Sequence, residues 1–529
     1  MSDPFEFSLP ENDLLQSGTL LSEQQDGGSP AESVARLRKS LARCKDPTGE
    51  MGAILHCELA LALRDLAEYE QNEQTPALLN EARAALDSSL TFFTKERDLL
   101  HWAGMQYNLA TILAAQAEQA SPAENLELFR EAIAAFQSAL EVFLEKGSNP
   151  NAISAYNSLA LAFCTQALRS RGSESSLYFR ESAAAYRASL AIHSPWENPY
   201  EWARSQGNMA FVLRNLAVLC EGDEAKKYFD EAVAAYDEAF KIYTQDESAE
   251  LWLRTKINLG ITRNLQAECF LGEEEEQKKE RDRLLREAIK AHRDALEERS
   301  LELASEDWAN SQNNLAISLR ELGLLHQGEA GIASLAESAT ALQSAIEGFS
   351  ILQRTEEKVV AQINLAATFR ELASRSQGDQ SVQSLDKASR IYRDLLPTFS
   401  NDDHPADWII TQIKLAEVLC EQGKLVTESE ASVSLFRRGV SAYRAALGAF
   451  VRAENPEDWA SAQQSLAAAL VEQAERSDGF EKKQLLDEAQ KVRETITEAS
   501  SLSDVLKKRG MTKADLAAQL CEQAMKKKS

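Results

Sequence analysis

The stretch DWANSQNNLAISLRELG, from Asp307 to Gly323, decides the fold because it returns along the chain at a nearly constant interval. Its fixed point is a large residue followed by a small one, here Leu315-Ala316. Eight further pairs of this kind are spaced by 50 residues, apart from one interval of 56 and one of 51. The nine pairs begin at Leu59, Leu109, Leu159, Met209, Leu259, Leu315, Leu365, Leu415 and Leu466. Self-similarity at a fixed period of roughly 20–50 residues is the signature of a solenoid.

Each copy predicts an amphipathic helix, which we call the first helix, and its positions are numbered from the fixed Leu or Met as 0. Tryptophan at −7 in six copies and apolar residues at +4 share one helical face with position 0. A second helix is predicted after each first helix, as in EAIAAFQSAL from Glu131 to Leu140. Its recurring small residue lets two backbones approach closely. That residue is Ala82, Ala132, Ser182, Ala232, Ala288, Ser338, Ala388, Gly439 and Ala489 in turn.

Leu-Ala-x-x-Leu in one helix, followed by Ala-x-x-x-Tyr-x-x-Ala-Leu in the next, resembles the tetratricopeptide repeat (TPR). That family usually has a period of 34 residues, so both helices are expected to be longer here. The pattern Pro199, Trp202, Gln206, Asn208, Ala210 is similar to long-period arrays in bacterial signalling and defence proteins. Those arrays are often fused to CHAT-type caspase-like proteases or to STAND NTPases. The resemblance covers about residues 30–498. It is specific for fold but not for function, because the same repeat serves many partners.

The predicted fold is all-α: a right-handed α-solenoid of about nine antiparallel helix pairs, residues 46–500, with a capping helix at each end. Residues 1–28 are polar and predict a mobile acidic tail. Ser29-Pro30-Ala31-Glu32 is a helix-start signal and predicts an N-terminal capping helix over residues 29–45.

Two segments depart from the repeat. Gly272–Arg283, which accounts for the interval of 56, predicts a longer solvated helix extension or loop. Residues 501–529 predict a C-terminal helical cap with a basic tail at Lys526–Lys528. Arg509–Leu520 looks like the opening of a helix-turn-helix unit, but no recognition helix could follow it.

Composition limits the classes of function. The 529 residues carry a formal net charge of −26, which disfavours nucleic-acid binding because phosphate neutralisation needs a basic surface. The acidity serves solubility or attracts a basic partner. The sequence has no apolar run of about 18 residues, so no membrane span is expected. Seven scattered cysteines and no targeting signal predict a cytoplasmic protein with reduced thiols.

The sequence contains no phosphate-binding Gly-rich loop, no GxSxG motif and no CxxC, and its six histidines form no pair at metal-ligand spacing. His292 replaces the aromatic residue of a second helix and is predicted to pack in the core. We therefore expect no enzymatic activity, no cofactor and no metal.

Polar residues recur in register on the first helices. Asn occupies −1 in five copies and Arg occupies +5 in four, and in the TPR family this part of the first helix lines the concave groove. One hypothesis is that Asn binds the backbone of an extended partner segment while Arg pairs with its acids. The other is that both brace neighbouring helices. The residues are Asn108, Asn208, Asn258, Asn314, Asn364, Arg64, Arg214, Arg320 and Arg370.

The sequence thus favours a scaffold or adaptor that binds a protein or peptide partner. By resemblance it would be a regulatory subunit of a bacterial signalling or defence assembly. The alternative is a self-assembling structural repeat protein, and the sequence leaves the oligomeric state and the partner open.

Overall fold

The computed structural model describes residues 29–297, 306–399, 405–450 and 456–508. These residues form nineteen α-helices, and the chain is an all-α solenoid of consecutively packed helices. The helices are α1 Pro30–Arg43, α2 Glu50–Glu70, α3 Thr75–Leu90, α4 Leu99–Gln119, α5 Pro122–Glu145, α6 Asn149–Arg169, α7 Gly172–Ile192, α8 Pro199–Val218, α9 Gly222–Phe240, α10 Ala249–Ala267, α11 Glu275–Glu297, α12 Glu306–Leu325, α13 Gly328–Ile351, α14 Thr355–Arg375, α15 Asp379–Leu395, α16 Pro405–Leu425, α17 Ser429–Ala449, α18 Pro456–Glu475 and α19 Gly479–Lys508.

The helices divide into two compact units. The N-terminal unit ends at Glu273 and holds α1–α10, and the C-terminal unit begins at Glu274 and holds α11–α19. The predicted fifth pair is therefore split, since its first helix is α10 and its second is α11. Within each unit every helix packs on the next, and first helices of adjacent copies also touch, as α2 with α4 and α12 with α14 do.

The small residue after each fixed Leu or Met packs in the interior as predicted. Ala60, Ala110, Ala316 and Ala366 each have no exposed surface. The small residues of the second helices are equally buried, and two of them are serines whose hydroxyl groups bridge the pair. Ser182 Oγ donates to the Ala160 carbonyl at 2.6 Å, and Ser338 Oγ makes the equivalent bond to Ala316 at 2.7 Å.

Predicted helix starts are found at α1 and α8. Ser29 accepts a hydrogen bond from Glu32 N at 3.3 Å, and the Glu32 carboxylate accepts one from Ser29 N at 2.9 Å. Asn198 caps α8 by accepting from Glu201 N at 3.4 Å. The repeated sequence at Ser121 also begins a helix, but there the Ser121 hydroxyl bonds the Glu124 carboxylate and caps no backbone group.

The insertion that lengthens the fifth interval continues α11 towards its N-terminus from Arg283 to Glu275. It is docked on α12 and is not simply solvated, because Arg281 pairs with Glu321 at 2.7 Å with both side chains mostly shielded. Asp282 also contacts His326 at 2.5 Å. On the same helix His292 is fully buried, as predicted, and burial lowers its pKa to about 3.

Helix α19 continues to Lys508 and so passes residue 500, where the sequence places the start of the terminal cap. The predicted tail of residues 1–28 and the segment from Arg509 to Ser529 lie outside the described residues. The right-handed winding stays a prediction.

Candidate functional site

The four +5 arginines share a register but differ in burial. Arg214 has no exposed surface, Arg320 has 6% and Arg64 has 9%. Only the Arg370 side chain is substantially open, at 31%. The register therefore does not present four equivalent guanidinium groups to a partner.

In the N-terminal unit these arginines bridge adjacent first helices. Arg64 Nη1 donates to Thr111 Oγ1 on α4 at 3.2 Å, while its Nη2 pairs with Asp65 at 2.7 Å. Arg214 Nη1 donates to Asn258 Oδ1 on α10 at 2.8 Å, and its guanidinium carbon lies 4.6 Å from the centre of the Phe211 ring. Both contacts join one copy to the next.

In the C-terminal unit the arginines pair with glutamates. Arg370 Nη1 bonds Glu417 at 2.6 Å, and its Nε bonds Glu421 at 3.0 Å, so this side chain ties α14 to α16. Burial lowers the pKa of Arg370, but its hydrogen bonds and charge interactions with the two glutamates outweigh that effect and raise it. Arg320 pairs with its neighbour Glu321 at 3.3 Å.

The five −1 asparagines are all buried, and they fall into two groups. Asn258 is bonded to Arg214 and to the Arg254 carbonyl at 3.2 Å, and Asn108 donates to Cys57 Sγ at 3.5 Å. Asn208 also has an interaction partner. In contrast, the side-chain amides of Asn314 and Asn364 make no hydrogen bond within the described residues, although each residue is only 1% exposed. A buried amide without partners is costly and calls for an explanation.

One cleft of the C-terminal unit brings three of the predicted residues together. It lies among α12, α14, α15 and α16 and has a volume of about 150 Å³. Its lining residues are Arg320, Ile363, Asn364, Ala367, Arg370, Glu371, Tyr392, Ile410, Thr411 and Lys414. We call it the C-terminal cleft, and Asn364 is its one lining residue whose amide is unsatisfied within the described residues.

A second cleft lies in the N-terminal unit among α2, α3, α4, α5 and α6, with a volume of about 240 Å³. We call it the N-terminal cleft. Of the predicted site residues it contains Arg64 alone. Its lining residues are Arg64, Ala67, Glu68, Gln71, Thr75, Leu79, Tyr107, Thr111, Ala114, Ala115, Glu118, Gln119, Phe136, Ser158, Leu161, Ala162 and Thr165.

The polar groups of the N-terminal cleft are unevenly distributed. The Tyr107 hydroxyl contacts Ser158 Oγ at 3.1 Å, and burial raises the pKa of this tyrosine. Glu68 and Glu118 reach the surface. The pKa of the Glu118 carboxyl group is nevertheless raised, chiefly by desolvation; Arg169 counteracts the effect and Glu68 adds to it. The cleft thus has two neighbouring carboxylates whose charges repel.

Two sets of contacts between copies were not predicted from the sequence. At +10, Arg169 Nη1 donates to the Ala117 carbonyl at 3.1 Å, and Arg375 Nη1 donates to the Gly323 carbonyl at 2.9 Å. Each closes the C-terminal end of the preceding first helix, where carbonyls lack helical partners. Arg–Glu pairs also join successive second helices, and three of them recur in one register, which was a signal available in the sequence. These three pairs are Arg187–Glu231, Arg293–Glu337 and Arg444–Glu488.

No group of three or more His, Cys, Asp or Glu that could hold a metal ion occurs in the part of the chain that the structure describes. Among the described helices, none has the length and apolar character to cross a membrane.

Comparison with known proteins identifies no family for this chain. No family model matches the chain, and no curated protein matches it. Solved structures that resemble it include a circular tandem repeat protein, at 16% identity over 90% of this chain and 97% of the other, with a TM-score of 0.24. The quorum sensor NprR from B. thuringiensis, in its apo form, is 12% identical over 85% and 99% of the two chains, with a TM-score of 0.32.

A STAND protein with a tetratricopeptide repeat sensor, from Pyrococcus horikoshii, is 10% identical over 91% of this chain and 74% of that one, with a TM-score of 0.29. Likenesses at this level carry no argument about what the present chain binds. The repeat architecture rests on its own helix pairs.

Proposed function

We propose that the chain is a protein-interaction scaffold that holds an extended partner segment against its first helices. The observation that carries this proposal is the unsatisfied amide of Asn364 in the wall of the C-terminal cleft. An extended peptide offers one N–H and one C=O per residue, which are the groups that an asparagine side chain can bond together. Because Asn364 is only 1% exposed, a bound segment that opens this wall of the cleft would supply the partners that the amide lacks in the free protein.

The arginines have a different role in this proposal. Around the C-terminal cleft three cationic side chains stand beside four carboxylates, so the cleft has no surplus positive charge for an acidic partner. The contacts of Arg370 with Glu417 and Glu421 support the bracing hypothesis, and Arg214 with Asn258 supports it in the other unit. The charged groups counted are Arg320, Arg370, Lys414, Glu321, Glu371, Glu417 and Glu421.

Replacing Asn364 with leucine separates binding from stability. Because Asn364→Leu removes a buried amide that has no partner in the free protein, we expect the free energy of unfolding to rise by about 1 kcal/mol. Capture of the partner should be lost. The measurements are denaturant unfolding and quantitative mass spectrometry of proteins captured from native lysate by each variant.

Two control variants make this test specific. Asn258→Leu removes the acceptor of fully buried Arg214 and should lower stability by about 1–3 kcal/mol. Gln343→Leu changes an exposed amide of α13, outside the cleft, and should alter neither stability nor capture. Unchanged capture by Asn364→Leu would contradict the proposal, and a loss of stability in that variant would make Asn364 a brace.

An adaptor role in a bacterial signalling or defence assembly rests on the sequence resemblance alone. If the chain captures only further copies of itself, and its mass in solution grows with concentration, the self-assembling alternative replaces the scaffold.

A further inference from the structure

Resting on the proposed scaffold function, we propose that the N-terminal cleft takes one basic side chain, lysine or arginine, from the partner segment. The aliphatic part of that side chain lies against the alanines of the cleft. Its cationic group lies between Glu68 and Glu118.

The apolar part of the cleft exists because small residues coincide on three first helices. Ala67 on α2, Ala114 and Ala115 on α4, and Ala162 on α6 all line it. Ala114 occupies +5, where four other copies have arginine. With no long side chain from that position, the space remains open, and Leu79 and Phe136 add further apolar surface. Lysine and arginine side chains bury their methylene groups on such surfaces while the charged group stays hydrated.

The acidic part of the cleft consists of two carboxylates at equivalent positions of adjacent copies. Glu68 and Glu118 both occupy +9, on the adjacent helices α2 and α4. Two carboxylates at neighbouring positions repel each other, and a cation between them removes that repulsion. Burial, together with Glu68, already raises the pKa of Glu118 against the opposing effect of Arg169. The Arg169 guanidinium is hydrogen-bonded to the carbonyls of Ala117 and Glu118 at the end of α4.

The other end of the cleft fixes the direction in which a ligand enters. Arg64 lies one helical turn before Glu68 on α2, about 6 Å along the helix axis, and it is already paired with Asp65 and Thr111. Its positive charge repels a cationic group and so keeps that group at the glutamate end. Counting Asp65, Glu68 and Glu118 against Arg64 and Arg169 leaves one net negative charge, which complements one basic side chain.

The volume agrees with one such side chain. The cleft measures about 240 Å³, whereas a cavity of roughly 10–15 Å³ already holds one water molecule. This is sufficient for four methylene groups and an ammonium group, and for the longer arginine side chain.

The test uses the full chain and acetylated, amidated peptides Gly-Gly-X-Gly-Gly, in which X is lysine, arginine, norleucine or glutamate. Norleucine has the aliphatic stem without the charge. Isothermal titration should give dissociation constants for the lysine and arginine peptides at least about tenfold lower than for the other two. In the isosteric variant Glu68→Gln/Glu118→Gln this preference should disappear.

The control Glu58→Gln/Glu141→Gln removes the same amount of charge from α2 and α5 at exposed residues that do not line the cleft, and should keep the preference. Equal binding of norleucine and lysine would overturn the proposal in favour of a purely apolar cleft. Tightest binding of the glutamate peptide would make it an anion site at Arg64. No saturable binding of any peptide would also overturn it.

Overturning the inference about the N-terminal cleft can be distinguished from overturning the proposed scaffold function. If the peptides show no charge preference while Asn364→Leu still abolishes partner capture, the inference falls and the scaffold stands. If the lysine preference holds while capture is independent of Asn364, the proposed role of the C-terminal cleft falls instead.

Discussion

The two clefts occupy the same register of the repeat but differ in chemistry. Arg64 in the N-terminal cleft and Arg320 in the C-terminal cleft are both at +5 of a first helix, and each is followed by two further copies that complete the cleft. One copy later, the N-terminal cleft has Ala114 where the C-terminal cleft has Arg370. The second-helix aromatic is Phe136 in one and Tyr392 in the other.

This difference shows how a uniform framework carries unlike sites. Replacing an arginine with an alanine at +5 changes a small cleft crossed by ion pairs into a larger one with an open apolar surface. At −1 of the third copy in each cleft, the N-terminal cleft has Ser158 and the C-terminal cleft has Lys414. The lysine adds a positive charge to the C-terminal cleft. Positions 0 and +1 are Leu and Ala in every copy that forms the two clefts, so the backbone is kept while the ligand chemistry is free to vary.

The largest effect is expected from changing the framework itself. Ala366 has no exposed surface, so Ala366→Leu should lower the free energy of unfolding by about 1–3 kcal/mol through overpacking. Because repeats couple to their neighbours, hydrogen exchange should quicken in α13 to α16 before it does so elsewhere. Denaturant unfolding and hydrogen exchange measure the two effects.

The adjacent alanine provides the matched control. Ala367 lines the C-terminal cleft and is partly exposed. Ala367→Leu therefore extends into open space and should leave stability nearly unchanged while it impairs partner capture. If both substitutions destabilise the protein equally, the distinction between framework and cleft positions is wrong.

The framework was largely predictable from the sequence, and the clefts were not. The Leu-Ala register located the buried alanines, because a helix period assigns a face without knowledge of the neighbours. The arginines share a register, yet Arg214 lies against Phe211 in the interior while Arg370 is partly open. Exposure at +5 depends on side chains from adjacent copies. The N-terminal cleft depends on alanines from three helices, which no single copy reveals.

The substitution Arg370→Ala makes the C-terminal cleft more like the N-terminal cleft, which has Ala114 at this position. Arg370→Ala leaves Glu417 and Glu421 without their shared cation, so stability should fall by about 1 kcal/mol, since partly exposed ion pairs are screened by water. Adding Glu417→Gln and Glu421→Gln should restore most of it, because the repulsion then disappears. Thermal and denaturant unfolding of the single and triple variants measure this coupling.

The comparison pair for Arg370 is Arg444 with Glu488, which joins second helices with the two side chains 51% and 39% exposed. Arg444→Ala should change stability by no more than a few tenths of a kcal/mol. Equal losses for Arg370→Ala and Arg444→Ala would refute the bracing role assigned to the +5 register.

The smallest effect is the pH dependence of the N-terminal cleft. Burial and the charge of Glu68 raise the pKa of Glu118 above the usual value of about 4.3 for glutamate, although Arg169 opposes the shift. A carboxyl group with a raised pKa takes up its proton earlier as pH falls, and the protonated group no longer attracts a cation. The affinity for the lysine peptide should therefore decrease several-fold between pH 7 and pH 5, whereas the norleucine peptide should bind equally at both. Because lysine binding favours the charged carboxylate, it should also release protons, which titration calorimetry in buffers of different ionisation enthalpy detects. A lysine affinity that stays constant down to pH 5 would mean that Glu118 does not contact the bound cation.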